Sequence, residues 1–387
     1  MSAVTAPITR SPLLGWFAVS ALTMGIFSIV TIEILPIGLL TPIGSSFHIP
    51  AGRAGWTMTV PGIVAAIAAP SVTVATRRLD RRSVLCGLMA LLVCADFLAA
   101  VAADFWLLLL ARALVGLTIG GFWSIGAGLV ARLVPENSVA RATAVIFSAV
   151  PLGSVLGVPV GTLIGQLAGW RTAFVVLGIL TAGVTIALGV LLPTLPAIQA
   201  TRVSVLSRLM ANGNIRRGLL ATFLVVIAHF GTYTYVTPFL HHVTHVRAAQ
   251  VSTYLLLYGA AGVVGNFVAG SAIKRNLRGA FSLSAGMLAA ATLLLPVIGA
   301  REFGAIAMLI LWGLAYGAVP VCSQSWLANA APCAPEAATV LFTSSFQATI
   351  SIGALLGGVV VDASSTSTVM LCGGVAALAA AAVIRRS

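Results

Sequence analysis

Residues 13–40 read LLGWFAVSALTMGIFSIVTIEILPIGLL, an apolar run in which Glu33 is the only charged side chain. About 20 such residues cross the hydrocarbon of a bilayer, so the stretch predicts a membrane-spanning helix. It is longer than the apolar core of a secretion signal, and no small-residue cleavage pattern follows it. It is therefore expected to remain as the first helix. The same pattern recurs outward from this stretch. Apolar runs at 54–75, 83–102, 105–131, 139–167 and 171–192 complete a first set of six. A polar segment, 193–217, contains Arg202, Arg208, Arg216 and Arg217 and reads as a linker. Six further runs follow at 218–240, 250–272, 278–298, 303–329, 337–361 and 368–384. The expected fold is an all-α membrane protein with twelve transmembrane helices in two six-helix halves, residues 1–192 and 218–387.

Composition supports this and excludes other classes. The chain is 59% hydrophobic and 7% charged, with a mean hydropathy of +1.09, whereas soluble domains carry roughly 25% charged residues. Twelve spans and their short loops use up the 387 residues, which leaves no room for a soluble catalytic domain. A net charge of +13 would suggest nucleic acid for a soluble protein. Here the basic residues lie in short loops between apolar runs and act as topology signals. A cytoplasmic N-terminus places Arg10, Arg77, Arg78, Arg81, Arg82, Arg132, Arg141, the linker arginines, Lys274, Arg275, Arg278, Arg385 and Arg386 inside. Arg53, Arg171, Arg247 and Arg301 are then outside. Both termini are expected in the cytoplasm. Cys86, Cys94, Cys322, Cys333 and Cys372 form no C-x-x-C pair, so neither disulfides nor a metal site is expected. His241, His242 and His245 read as a solvated outer turn.

The halves share internal landmarks. Gly116-Leu-Thr-Ile-Gly120 followed by Pro135 matches Gly313-Leu-Ala-Tyr-Gly317 followed by Pro332, and Gly153-x-x-x-Gly157 matches Gly353-x-x-x-Gly357. Small residues at this spacing let helices approach closely, and their matching order points to a duplicated six-helix unit.

Three stretches carry a family resemblance. Arg77-Arg78-Leu79-Asp80-Arg81-Arg82 stands where the major facilitator superfamily has its G-x-x-x-D-R-x-G-R-R loop, with Thr73, Arg77 and Asp80 replacing a glycine, the aspartate and a second glycine. Arg112-x-x-x-Gly116 resembles the R-x-x-x-G motif. Gly153-x-x-x-Gly157-Val-Pro159-Val-Gly161 resembles the glycine-proline motif of antiporters. Residues 33–42 (EILPIGLLTP), Phe122-Trp123-Ser124 and 228–235 (AHFGTYTY) resemble bacterial sugar-efflux and purine-ribonucleoside-efflux transporters. The resemblance implies a proton-coupled antiporter that exports small molecules such as sugars, nucleosides or drugs, works as a monomer and needs no cofactor. A membrane sensor that kept the fold and lost transport is the competing class.

Candidate site residues follow from the cost of polarity in hydrocarbon. Burying a charged carboxylate at a helix centre costs about 2.5–3.5 kcal/mol, and protonating an ordinary glutamate at pH 7 costs about 3.7 kcal/mol. The costs nearly balance, so Glu33 suits proton coupling or substrate binding. Arg112, at similar depth in the fourth span, is its candidate partner, and a permanent structural pair is the alternative. His229 corresponds to Glu33 in the second half and titrates near neutrality. It is either a proton relay, a substrate ligand or a packed neutral ring. Trp123, Tyr233, Tyr235, Asn266, Trp312 and Gln324 supply aromatic faces and hydrogen-bonding groups for a substrate, or pack as ordinary span residues. Asp96 and Asp362 lie near outer span ends, where interface solvation accounts for them.

Overall fold

A computed structural model describes residues 12–76, 78–126, 129–196, 209–331 and 335–386. Arg10, Arg77, Arg202, Arg208, Pro332 and Cys333 lie outside the described residues. Span 1 is Pro12–Phe47. Span 2 is Trp56–Ala75, preceded by a short helix at Ala51–Ala54. Spans 3 and 4 are Arg81–Ala100 and Phe105–Gly126. Span 5 is built of Val139–Leu152, a π-helical turn at Gly153–Gly157 and Val158–Ala168. Span 6 is Trp170–Leu191. Span 7 runs Gly213–Tyr233 and continues as Val236–His242. Spans 8 and 9 share Ala248–Ile298, and spans 10, 11 and 12 are Glu302–Ala330, Pro335–Ala363 and Thr366–Arg385.

The connection between spans 8 and 9 is tighter than the expected loop at 273–277. A single residue, Asn276, leaves helical geometry (φ −155°, ψ 95°). Its side-chain oxygen accepts the Gly279 N–H at 2.8 Å, which is how a capping residue satisfies an otherwise orphaned donor at a helix start. The corresponding turn of the first half uses Asp80 in the same role. One of its oxygens accepts from the Arg82 and Ser83 amides and the other from the Leu195 amide at 2.7 Å. Arg81 bonds Thr76, and Arg82 bonds the Gly189 carbonyl. All these partners lie within the first half or at the start of the linker, while Arg78 is exposed.

Each half packs around its own apolar core. One core runs from Ala18 to Leu195, and the second is drawn almost wholly from Ala221 to Ile384. The glycine landmarks are where backbones meet. A Cβ at Gly153, Gly157, Gly161 or Gly165 would strike Val30, Thr31, Leu35 or Leu39, so span 5 lies along span 1 on a glycine stripe. In the second half Gly353 and Gly357 meet Ile227, Gly231 and Tyr235 of span 7 in the equivalent way. Gly116 and Gly120 press on Pro61 and Ala65 of span 2, as Gly313 and Gly317 press on Tyr258 and Gly262 of span 8. The sequence repeat is thus a repeat of helix-packing contacts.

Candidate functional site: a cavity between the halves

Arg112 is completely buried, and its environment follows from two prolines. Pro36 in span 1 has no N–H for the carbonyl of Ile32, and Pro61 in span 2 has none for that of Thr57. Arg112 donates to both, from Nη1 to Ile32 O at 2.7 Å and from Nε to Thr57 O at 2.7 Å. Its Nη2 donates to the carbonyl of Glu33 at 2.8 Å. The fixed guanidinium fork therefore clasps spans 1, 2 and 4 through main-chain oxygens. In the second half the positions aligned with Pro36, Pro61 and Arg112 are Thr232, Tyr258 and Leu309, so the prolines and the arginine are missing together.

With Arg112 occupied in this way, the Glu33 carboxylate takes a partner from the other half. It accepts from the Gln347 side-chain amide of span 11 at 3.0 Å. Among the described residues no ion pair joins it to Arg112. The Gln347 carbonyl oxygen is buried with no partner. Glu33 and Gln347 lie at one end of a cavity of about 330 Å³ between the halves. Trp123, Phe147, Phe230, Tyr316, Phe342 and Phe346 supply its aromatic walls, and Ser154, Gln324 and Thr343 its other polar groups. It extends toward Leu327, Ala328 and Ala338, at the bundle end that also carries the span 2–3 turn and the start of span 11. At the opposite end the halves are latched together. The Asp362 carboxylate accepts the Gly52 N–H at 2.8 Å and Thr237 Oγ1 donates to Ile37 O at 2.8 Å, while Tyr235, whose Oη donates to Ala354 O within its own half at 2.7 Å, packs against Gly55 of the first half.

The residues singled out from sequence therefore separate into groups. Glu33, Trp123 and Gln324 line the cavity. His229, Tyr233 and Trp312 lie in a buried cluster behind Tyr316. Tyr235 belongs to the latched end, and Asn266 is half-buried on span 8 without lining the cavity. Gln347 and Tyr316 were missed. Asp96 differs from its reading as an interfacial residue. It is fully buried against span 6, where one oxygen accepts from Thr181 Oγ1 at 3.2 Å and the other has no partner. His241 bonds the Val246 carbonyl, and among the described residues no group of three metal-ligating side chains occurs.

The sequence that builds this bundle matches, over residues 16–339, a family model described as the Major Facilitator Superfamily. The chain belongs to the Major Facilitator Superfamily. It is a multi-pass membrane transporter with a small-molecule substrate, not an enzyme. It is 31% identical over 367 residues to the purine ribonucleoside efflux pump NepI of Escherichia coli, covering 92% of this chain and 91% of the relative. It is 33% identical over 354 residues to the transcription regulatory protein OpdE of Pseudomonas aeruginosa, covering 90% and 87%. Among solved structures it resembles a bacterial homologue of the human lysosomal transporter Spinster, in an inward-facing and occupied conformation. That match has a TM-score of 0.76 at 17% identity and covers 97% of each chain. The residues Gly153 to Gly161 form the π-helical turn and part of the glycine stripe of span 5.

Proposed function

We propose that this protein is a proton-coupled antiporter that exports uncharged small molecules with planar or polar rings, such as nucleosides, sugars or drugs. One observation carries the reading. Among the described residues the cavity holds a single carboxylate, Glu33, whose neighbouring cation is committed to main-chain carbonyls. Its proton is therefore not displaced by a permanent salt bridge, and its partner Gln347 belongs to the opposite half. Binding or release of a proton at Glu33 alters a contact that crosses the two halves, which is the coupling an antiporter needs. The aromatic walls and side-chain amides suit neutral ring compounds, and the name of the NepI relative points the same way.

The cavity extends toward the end bearing Arg81, Arg82, Arg132, Lys274, Arg275, Arg278 and Arg385. By the positive-inside rule this end is cytoplasmic, in the inner membrane of a bacterium. The structure then corresponds to an inward-facing state, with both termini cytoplasmic and one chain forming the whole pathway. The test is accumulation of radiolabelled adenosine and of a neutral dye in inverted vesicles with an acidic lumen. Uptake driven by the pH gradient supports the reading. The name of the OpdE relative favours a second reading, a membrane sensor, which predicts saturable binding of the same probes with no flux.

A further inference from the structure

His229 is buried behind the cavity wall, and its hydrogen bonds define its chemical form. The Trp312 indole N–H can only donate, and it meets His229 Nδ1 at 3.0 Å, so Nδ1 is an acceptor. The ring proton is therefore on Nε2, facing the Tyr258 hydroxyl at 3.4 Å. The imidazole lies flat on Tyr316, with centroids 3.3 Å apart and planes inclined by 9°. Trp312 and Phe230 meet it edge-on, at 86° and 81°. Tyr316 and Phe230 both line the cavity, whereas His229 does not. Among the described residues, none hydrogen-bonds the Tyr316 hydroxyl. Taking up a second proton would require His229 to break the Trp312 bond inside a sealed cluster.

We propose that His229 is a positioning residue. It fixes the ring plane of Tyr316, and with it the wall on which a planar substrate ring stacks, and it neither touches substrate nor carries the coupling proton. This rests on the cavity being the substrate site. Histidine suits the place because it offers both a flat face for Tyr316 and an acceptor for the buried Trp312 N–H.

Two variants separate these roles. His229→Gln keeps an acceptor for Trp312 and removes the stack, whereas His229→Phe keeps the stack and removes the acceptor. With 3-fluorotyrosine at position 316, the fluorine spectrum of the purified protein reports whether that ring is held. The wild-type protein and His229→Phe should show a slowly flipping ring, and His229→Gln a freely averaged one. Loss of one aromatic stack should raise the KM for adenosine roughly two- to tenfold in His229→Gln, with gradient-driven accumulation retained. His229→Phe should recover most of that KM while melting at a lower temperature. A held ring in His229→Gln overturns the proposal, as does loss of gradient-driven accumulation in both variants with adenosine still bound. The Tyr316→Ala variant tests the cavity itself. If it leaves adenosine binding unchanged while the fluorine spectra behave as described, the cavity reading fails and the positioning of Tyr316 stands.

Discussion

Arg112 shows how a charge becomes structural when its neighbours are prolines. Each carbonyl left bare by Pro36 and Pro61 would cost about 1–3 kcal/mol if buried without a partner. The guanidinium serves both, together with the Glu33 carbonyl. Replacing Arg112 with Lys preserves the charge but not the three-way fork. We expect Arg112→Lys to lower the thermal stability of the detergent-solubilised protein by several kcal/mol, read as an earlier melting transition. The loss should be smaller in a Pro36→Ala, Pro61→Ala background, where main-chain N–H groups return to the two carbonyls. Equal losses in both backgrounds would show that the clasp does not carry the stability. Glu33 and Arg112 were legible in the sequence because charges are rare in apolar runs. Arg112's true acceptors were legible in principle too, since a proline four residues after a carbonyl announces an unpaired acceptor. Gln347 was not, because its contact with Glu33 depends on how the two halves dock, and a lone glutamine in an apolar span carries no periodic signal.

Among the elements, span 5 depends most visibly on its sequence. Its glycines are spaced four apart along one face, and each sits where span 1 leaves no room for a Cβ. Gly157→Leu should therefore prevent the close approach to Thr31 and lower the yield of folded protein, measured as the monodisperse fraction after solubilisation. Adding Thr31→Gly should recover part of that yield. The latch at the other end makes a different prediction. A hydrogen bond to a charged group contributes about 1.5–3 kcal/mol, so removing Asp362 should shift the closed-to-open ratio at that end by roughly ten- to a hundredfold. With Asp362→Ala, a cysteine placed at Ser351 should react faster with an impermeant thiol reagent applied to intact cells. An unchanged rate would mean that the Thr237 bond to Ile37 and the packing of Tyr235 on Gly55 suffice to hold that end shut. The spans themselves were readable from hydropathy, as was the repeat from its glycines. The Asn276 junction and the π-helical turn were not, because both are local changes of helical hydrogen bonding, one residue and one turn long, that leave hydropathy unchanged. Asp96 was misjudged for a related reason. Distance from a span end gives depth, but only the packing of span 3 on span 6 gives burial.

For the whole molecule, the two cores, the cavity between them and the latched far end are, in the proposed transport cycle, one of two states. Glu33 belongs to the first half and Gln347 to the second, so the protonation of one side chain is positioned to bias how the halves dock. The central claim is that the coupling proton resides on Glu33. Glu33→Gln keeps the size and hydrogen-bonding capacity of the side chain while mimicking its protonated form. The decisive measurement compares adenosine counterflow with pH-gradient-driven accumulation for this variant in inverted vesicles. The account predicts that counterflow continues while the gradient no longer drives accumulation. Accumulation at the wild-type level would contradict it.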